Sequence, residues 1–187
     1  MKKAMVLVSL LAVLGSGFLF ATTLGSDSLT LHYKKVVGST NSIDWFTDVS
    51  ATSSITSATF SSEETVSAYL RVTNNYTNAS PSVLAVFPKL TNGTDATTIG
   101  YTIAVSCPTS GVSDNAATLV GADSPSSLSF EATTDSTVES IATIAGDVSA
   151  KKTGILLFVF TPDATDLSNA TANVDYSGNV VVTLASS

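Results

Sequence analysis

The alternation of apolar and polar positions is clearest at the end of the chain. Across residues 175–184, Tyr176, Val180, Val182 and Leu184 share one parity while Ser177, Asn179 and Thr183 share the other. A repeat of two sends successive side chains to opposite faces, so this segment reads as a strand with one buried face, and the rest of the chain reads as the sheet that receives it. Residues 28–34 alternate in the same way, with Leu29, Leu31 and Tyr33 opposing Ser28, Thr30, His32 and Lys34. Val66, Ala68, Leu70 and Val72 alternate with Ser67, Tyr69, Arg71 and Thr73. Ile99, Tyr101, Ile103, Val105 and Cys107 make the longest strict alternation, ended by Pro108, and residues 128–132 alternate again.

Between these strands the pattern is weaker. Ile43, Trp45, Phe46 and Val49 read as a short strand or a loop with Trp45 tucked into an edge of the core, and the Ser/Thr/Ala-rich stretch after them is anchored by Ile55 and Phe60. Residues 83–87 read as a buried strand stopped by Pro88. Dense turn signals lie at 74–81 and at 91–95, where Asn92-Gly93 is a hairpin cue. Val138, Ile141, Ala142, Ala145 and Val148 recur at near-helical spacing and Ser136 with Glu139 resembles a capping box, so this segment is open between a short helix and a strand. Residues 155–160 form an unbroken apolar run, predicting a central strand covered on both faces that neighbours the terminal strand. Residues 163–173 read as a polar loop.

Eight to ten such strands, with no βα alternation and no fixed repeat, predict an all-β protein: a single β-sandwich, immunoglobulin-like or jelly-roll, with Greek-key connections. The structural rival is an eight-stranded outer-membrane barrel, which calls for aromatic girdles and a terminal aromatic residue. Aromatic residues make up 7% of this chain, and it closes on Ala185-Ser186-Ser187.

Composition changes the picture first at the N-terminus. Lys2 and Lys3, an apolar run at 4–20 and a small residue at Ala21 read as a secretory signal peptide spanning 1–21, which leaves a secreted domain at 22–187. A retained anchor is the alternative, since the run reaches the minimum of ~17 residues that spans hydrocarbon; after cleavage no membrane span is expected. The formal charge is −7, and loss of the leader removes two lysines and no acid. Such a chain repels phosphate backbones and anionic headgroups, so nucleic acid is not an expected partner. Cys107 is the single cysteine, so no intrachain disulfide forms and stability must come from the core.

Chemistry-bearing constellations are scarce. His32 is the single histidine and falls on the polar parity of its strand, which argues against a Ser/His/Asp or Cys/His site. Zinc calls for more than one histidine and one cysteine, and the pairs Asp163/Asp166 and Asp44/Asp48 lack the dense acidic loop of a calcium motif. Glu63 and Glu64 are adjacent and would point to opposite faces of a strand, unlike a glycosidase dyad. No dinucleotide or phosphate-cradling glycine motif is present. No cofactor, no metal and no catalytic residue is therefore expected. Trp45, Phe46, Tyr69 and Tyr76 are candidates for sugar binding, Trp45 and Tyr76 foremost, with Trp45 as a plug of the core edge the alternative. Asn75, Asn78, Asn92 and Asn169 head Asn-x-Ser/Thr triplets in expected loops.

The terminal Asp175-Tyr176-Ser177-Gly178-Asn179-Val180-Val181-Val182-Thr183-Leu184 resembles the closing strand of bacterial fimbrial and spore-coat-like secreted β-sandwich subunits. Tyr69-Leu70-Arg71-Val72-Thr73-Asn74-Asn75 is similar to a strand end in surface immunoglobulin-like modules. Such subunits often carry a disulfide, which Cys107 alone cannot form. The resemblance implies a non-enzymatic structural protein of the cell surface, periplasm or envelope, a filament, fimbrial or coat subunit assembling through β-strand addition. Leu29, Leu31 and Tyr33 are then the candidate donated residues, and further copies of the chain or other cell-surface proteins the partners. A monomeric adhesion module binding glycans through its loops is the alternative.

Overall fold

The computed structural model describes residues 29–36, 41–60, 64–75, 77–94, 96–121, 125–171 and 174–185. The expected signal segment and Tyr76 lie outside the described residues. In chain order the strands are β1 (Leu29–Val36), β2 (Ser42–Phe46), β3 (Ser54–Ile55), β4 (Ser57–Phe60), β5 (Val66–Asn74), β6 (Ser82–Val86) and β7 (Leu90–Thr91). They continue as β8 (Thr98–Ile99), β9 (Tyr101–Ser106), β10 (Ala117–Leu119), β11 (Ser127–Glu131), β12 (Glu139–Ile144) and β13 (Lys152–Pro162). A short helix α1 (Ala164–Ser168) then leads to β14 (Tyr176–Ala185). Among the described residues no helix is long and apolar enough to cross a membrane.

These strands form two packed sheets. One runs β10-β12-β6-β14-β1-β4, with the β7–β8 hairpin attached to β14; the other runs β11-β9-β13-β5-β2-β3. From β5 onward the chain changes sheet at nearly every connection, and its returning half pairs with its outgoing half: β13 with β5, β12 with β6 and β11 with β9, all antiparallel. This stretch is one folded-back ribbon wound across both sheets. Inward-facing Ala68, Leu70 and Val72 of β5, Leu156, Phe158 and Phe160 of β13, and Tyr176, Val180 and Val182 of β14 meet in a single core. Phe158 stands at its centre, edge-on to Trp45 at 5.0 Å and flanked by Phe87 and Phe160 at 6.3 and 6.1 Å.

Three sequence expectations change here. The ambiguous 138–148 segment contains strand β12, and a bulge between Ser140 and Ala142 explains its helix-like pattern. The extra residue breaks the repeat of two, so Ile141, Ala142 and Ile144 are all buried. Strand β13 is central, as the apolar run predicts, but its outer face is incompletely covered: Leu157 and Val159 are half-buried, the usual state of an antiparallel sheet with one solvated face. Its neighbours are β5 and β9, not the terminal strand, which lies in the opposite sheet between β6 and β1. The connection of 163–175 therefore bridges the two sheets. Asp163 caps α1 within it, its Oδ1 accepting from the Thr165 and Asp166 amides at 2.8 and 2.9 Å.

One polar side chain takes the place of a strand. The β9 ladder on β13 begins at Leu157, so Ile155 lies beyond it. There Asn115 Oδ1 accepts from the Ile155 amide and Nδ2 donates to the Ile155 carbonyl, both at 2.8 Å, while Oδ1 also accepts from the Ala117 amide at 3.1 Å. Asn115→Ala should leave these backbone groups unpaired and cost about 1–3 kcal/mol, measured as a lower urea midpoint; an unchanged midpoint would show that water replaces the amide at no cost.

Candidate strand-exchange site

The candidate residues on the first strand are held in their own sheet. β1 lies parallel to β14 in unbroken register from Leu29↔Tyr176 to Val36↔Thr183, and antiparallel to β4 from Leu29↔Phe60 to His32↔Ser57. Beyond the β4 ladder, the Tyr33 amide donates to the Thr56 carbonyl at 2.9 Å. Thr56 is the residue at which the chain leaves β3 in one sheet and enters β4 in the other. The seat of β1 is thus bounded on one side by the terminal strand and on the other by a segment that changes sheets.

Alternation decides what β1 presents. Leu31 and Tyr33 point inward and are buried, while His32 is exposed on the outer face. The Tyr33 ring stacks on Trp45 at 4.2 Å and lies 6.1 Å from Phe160. Trp45, a candidate ligand-facing aromatic, is 4% exposed and occupies the core as the alternative reading had it. It offers a sugar no platform, because the inner parity of β2 directs it between the sheets. Phe46 takes the outer parity yet is also buried, beneath the Arg71 guanidinium 4.5 Å from its ring centroid.

The polar balance at this corner is poor. Tyr33 Oη and Trp45 Nε1 are buried without a hydrogen-bond partner among the described residues, beside a cavity of about 160 Å³ lined by Asp44 and the β3–β4 crossing. Burial pushes the Tyr33 phenol well above its usual range, so it stays protonated. β1 is held by its backbone ladders and by the apolar contacts of Leu31 and Tyr33.

The remaining candidates have structural placements. Burial pushes the half-buried Cys107 thiol up, against thiolate formation, and its Sγ donates to the Ala117 carbonyl at 3.5 Å. Asp163 is the α1 cap, and Asp166 Oδ2 accepts from the Gly100 amide at 2.8 Å and lies 3.7 Å from Lys89 Nζ. Asp48 accepts from the Thr52 hydroxyl at 2.9 Å and organises its own loop. Among the described residues no three His, Cys, Asp or Glu side chains converge as metal ligands would.

Sequence reasoning passed over one feature. A cleft of about 450 Å³ on the outer face of the β13 sheet gathers Arg71, Lys151 and Lys152. Its signal in the sequence is the Lys151-Lys152 pair in a chain with only eight Lys and Arg residues; Arg71, eighty positions earlier, joins them only through the β5·β13 pairing. Comparison with protein-family models, with curated proteins and with solved structures gives no match.

Proposed function

We propose that the protein is a non-enzymatic secreted structural protein of the cell surface or envelope, a subunit that assembles with further copies of itself by β-strand addition. The observation behind this reading is the place of β1: an N-terminal strand inserted between β14 and β4, completing a sheet otherwise built from distant parts of the chain. A strand that completes its own sheet can complete the same sheet of a neighbour, because the contacts are identical. Five residues, 37–41, separate β1 from β2 in the sequence, and short connections favour exchange over closure within one chain. Lys2, Lys3 and the apolar run at 4–20, read as a leader spanning 1–21, support export as the accompanying step.

The finer fold assignment follows the ribbon. A jelly roll is a long antiparallel ribbon wound into two sheets through Greek-key connections. The pairings β5·β13, β6·β12 and β9·β11, with β10 beyond them on β12, favour that reading over the immunoglobulin-like one. β14, β1 and β4 extend one sheet of this roll, and β2 and β3 extend the other.

Strand exchange is tested by cross-linking register partners. Thr30 and Ser177 face each other across the parallel ladder, so the double variant Thr30→Cys/Ser177→Cys, made with Cys107→Ala, should oxidise readily. Exchange yields covalent multimers on a non-reducing denaturing gel. Monomers that have lost both thiols would show that β1 stays in its own sheet, and the assembly reading would fall.

A further inference from the structure

We infer that the cleft over the β13 sheet is a binding site for a carboxylate-bearing saccharide, with Arg71 as its anchor. The site uses no residue of β1, so it stands apart from strand exchange. Arg71 and Ile155 are register partners on the outer face of the sheet, and Asp44 pairs with Arg71 from β2 on the other side. Ile155 and Phe46 are buried although they face outward, because loops and the Arg71 side chain close over them. The guanidinium therefore packs over an aromatic ring, with Cζ 4.5 Å from the ring centroid. Its planar fork suits a carboxylate, which it can bind through two parallel hydrogen bonds.

The charges around it favour an anion. Three of the eight Lys and Arg residues of an acidic chain meet here. Lys152 is taken up by Asp147, 3.2 Å away, and Asp147 is held charged, at about 2, chiefly by hydrogen bonds from the Ser149 hydroxyl and amide and then by Lys152. Asp44 has a partner of its own. Among the described residues neither Arg71 nor the exposed Lys151 has a carboxylate within ion-pair distance, so these two cations face the cleft uncommitted.

Size and the remaining lining point to a sugar acid and not a bare ion. A volume of about 450 Å³ falls within the range of small-molecule sites, roughly 300–1,000 Å³. Asp114 lines the cleft as well. A carboxylate there would repel a small anion, but it suits the hydroxyls of a saccharide whose acid group lies on Arg71. Both non-glycine residues with left-handed backbone among those described, Ala51 at φ 53° and Asp114 at φ 58°, line this same cleft. Backbone strain of this kind concentrates at ligand clamps.

The test is calorimetric titration of the purified protein with trigalacturonate, with trigalactose and inorganic phosphate as parallel arms. Trigalacturonate is expected to bind, with affinity falling as salt is added, and trigalactose to fail. Arg71→Gln should weaken binding about tenfold or more, the loss of a charge-assisted pair. Lys151→Gln lies on an exposed position that leaves the fold intact, and it should weaken binding severalfold. Equal binding by wild type and both variants, absence of binding at millimolar trigalacturonate, or phosphate binding as tightly as the trisaccharide would each overturn the assignment.

Discussion

Phe158→Ala is expected to destabilise the protein by about 3–5 kcal/mol, the range for deleting a buried aromatic ring. Phe158 is fully buried on the inner face of β13 and touches aromatic rings from three directions: Trp45 of β2, Phe87 after β6, and Phe160 of its own strand. Neighbours anchored in two different sheets cannot collapse together into the space without moving a strand, so most of the cavity persists. The control is the next residue. Val159 faces outward and is half-buried, and Val159→Ala should cost only about 1 kcal/mol. Urea unfolding of the pair gives the comparison. Similar losses in both variants would contradict the inward parity of Phe158.

Gly146→Ala should cost stability near the top of the range for overpacking, about 1–3 kcal/mol. A Cβ at this position would fall on the Ala79 carbonyl oxygen and 2.5 Å from that of Thr77. These are backbone atoms that cannot swing aside, and they are pinned in place. Asn74, 1% exposed, donates through Nδ2 to the Ala79 and Ala145 carbonyls at 2.9 and 3.0 Å. Gly93→Ala provides the contrast: its Cβ would meet nothing within 4 Å, and its cost of about 1–2 kcal/mol would come from the left-handed backbone at φ +77° alone. Thermal melts would distinguish the two, and a Gly146→Ala protein as stable as wild type would mean that the 77–79 turn is free to retreat.

The strands were legible where burial follows a repeat of two without interruption. β5, β9 and β14 bury the parity that their sequence sets apart, β1 does so at Leu31 and Tyr33, and β11 half-buries it at Leu128 and Phe130, because an inner face against one core imposes that pattern. The segments that escaped did so for local reasons. β10 is three residues, too short to show a period, and β12 hides its repeat behind a bulge. Trp45 was ambiguous because an aromatic at a sheet edge can face either way, and only the parity of β2 against β5 directs it inward. Sheet membership was the least legible property. The long apolar run of β13 and the terminal strand are joined by one loop, yet the chain changes sheets between them, and nothing in the composition of 163–175 records that crossing. The cleft stayed hidden for a related reason: Lys151 and Lys152 sit beside Arg71 only once β13 has folded back on β5.

The parallel alignment of β1 and β14 has a mechanical meaning. Tension that draws the start of β1 away from the end of β14 pulls two side-by-side strands in opposite directions along their own axes. The eight register pairs from Leu29↔Tyr176 to Val36↔Thr183 are then loaded in shear and must give way together. An antiparallel pair pulled from one end would open like a zipper, one bond at a time. In a subunit stretched between neighbours, the seam between its first and last strands would be the part that bears the load.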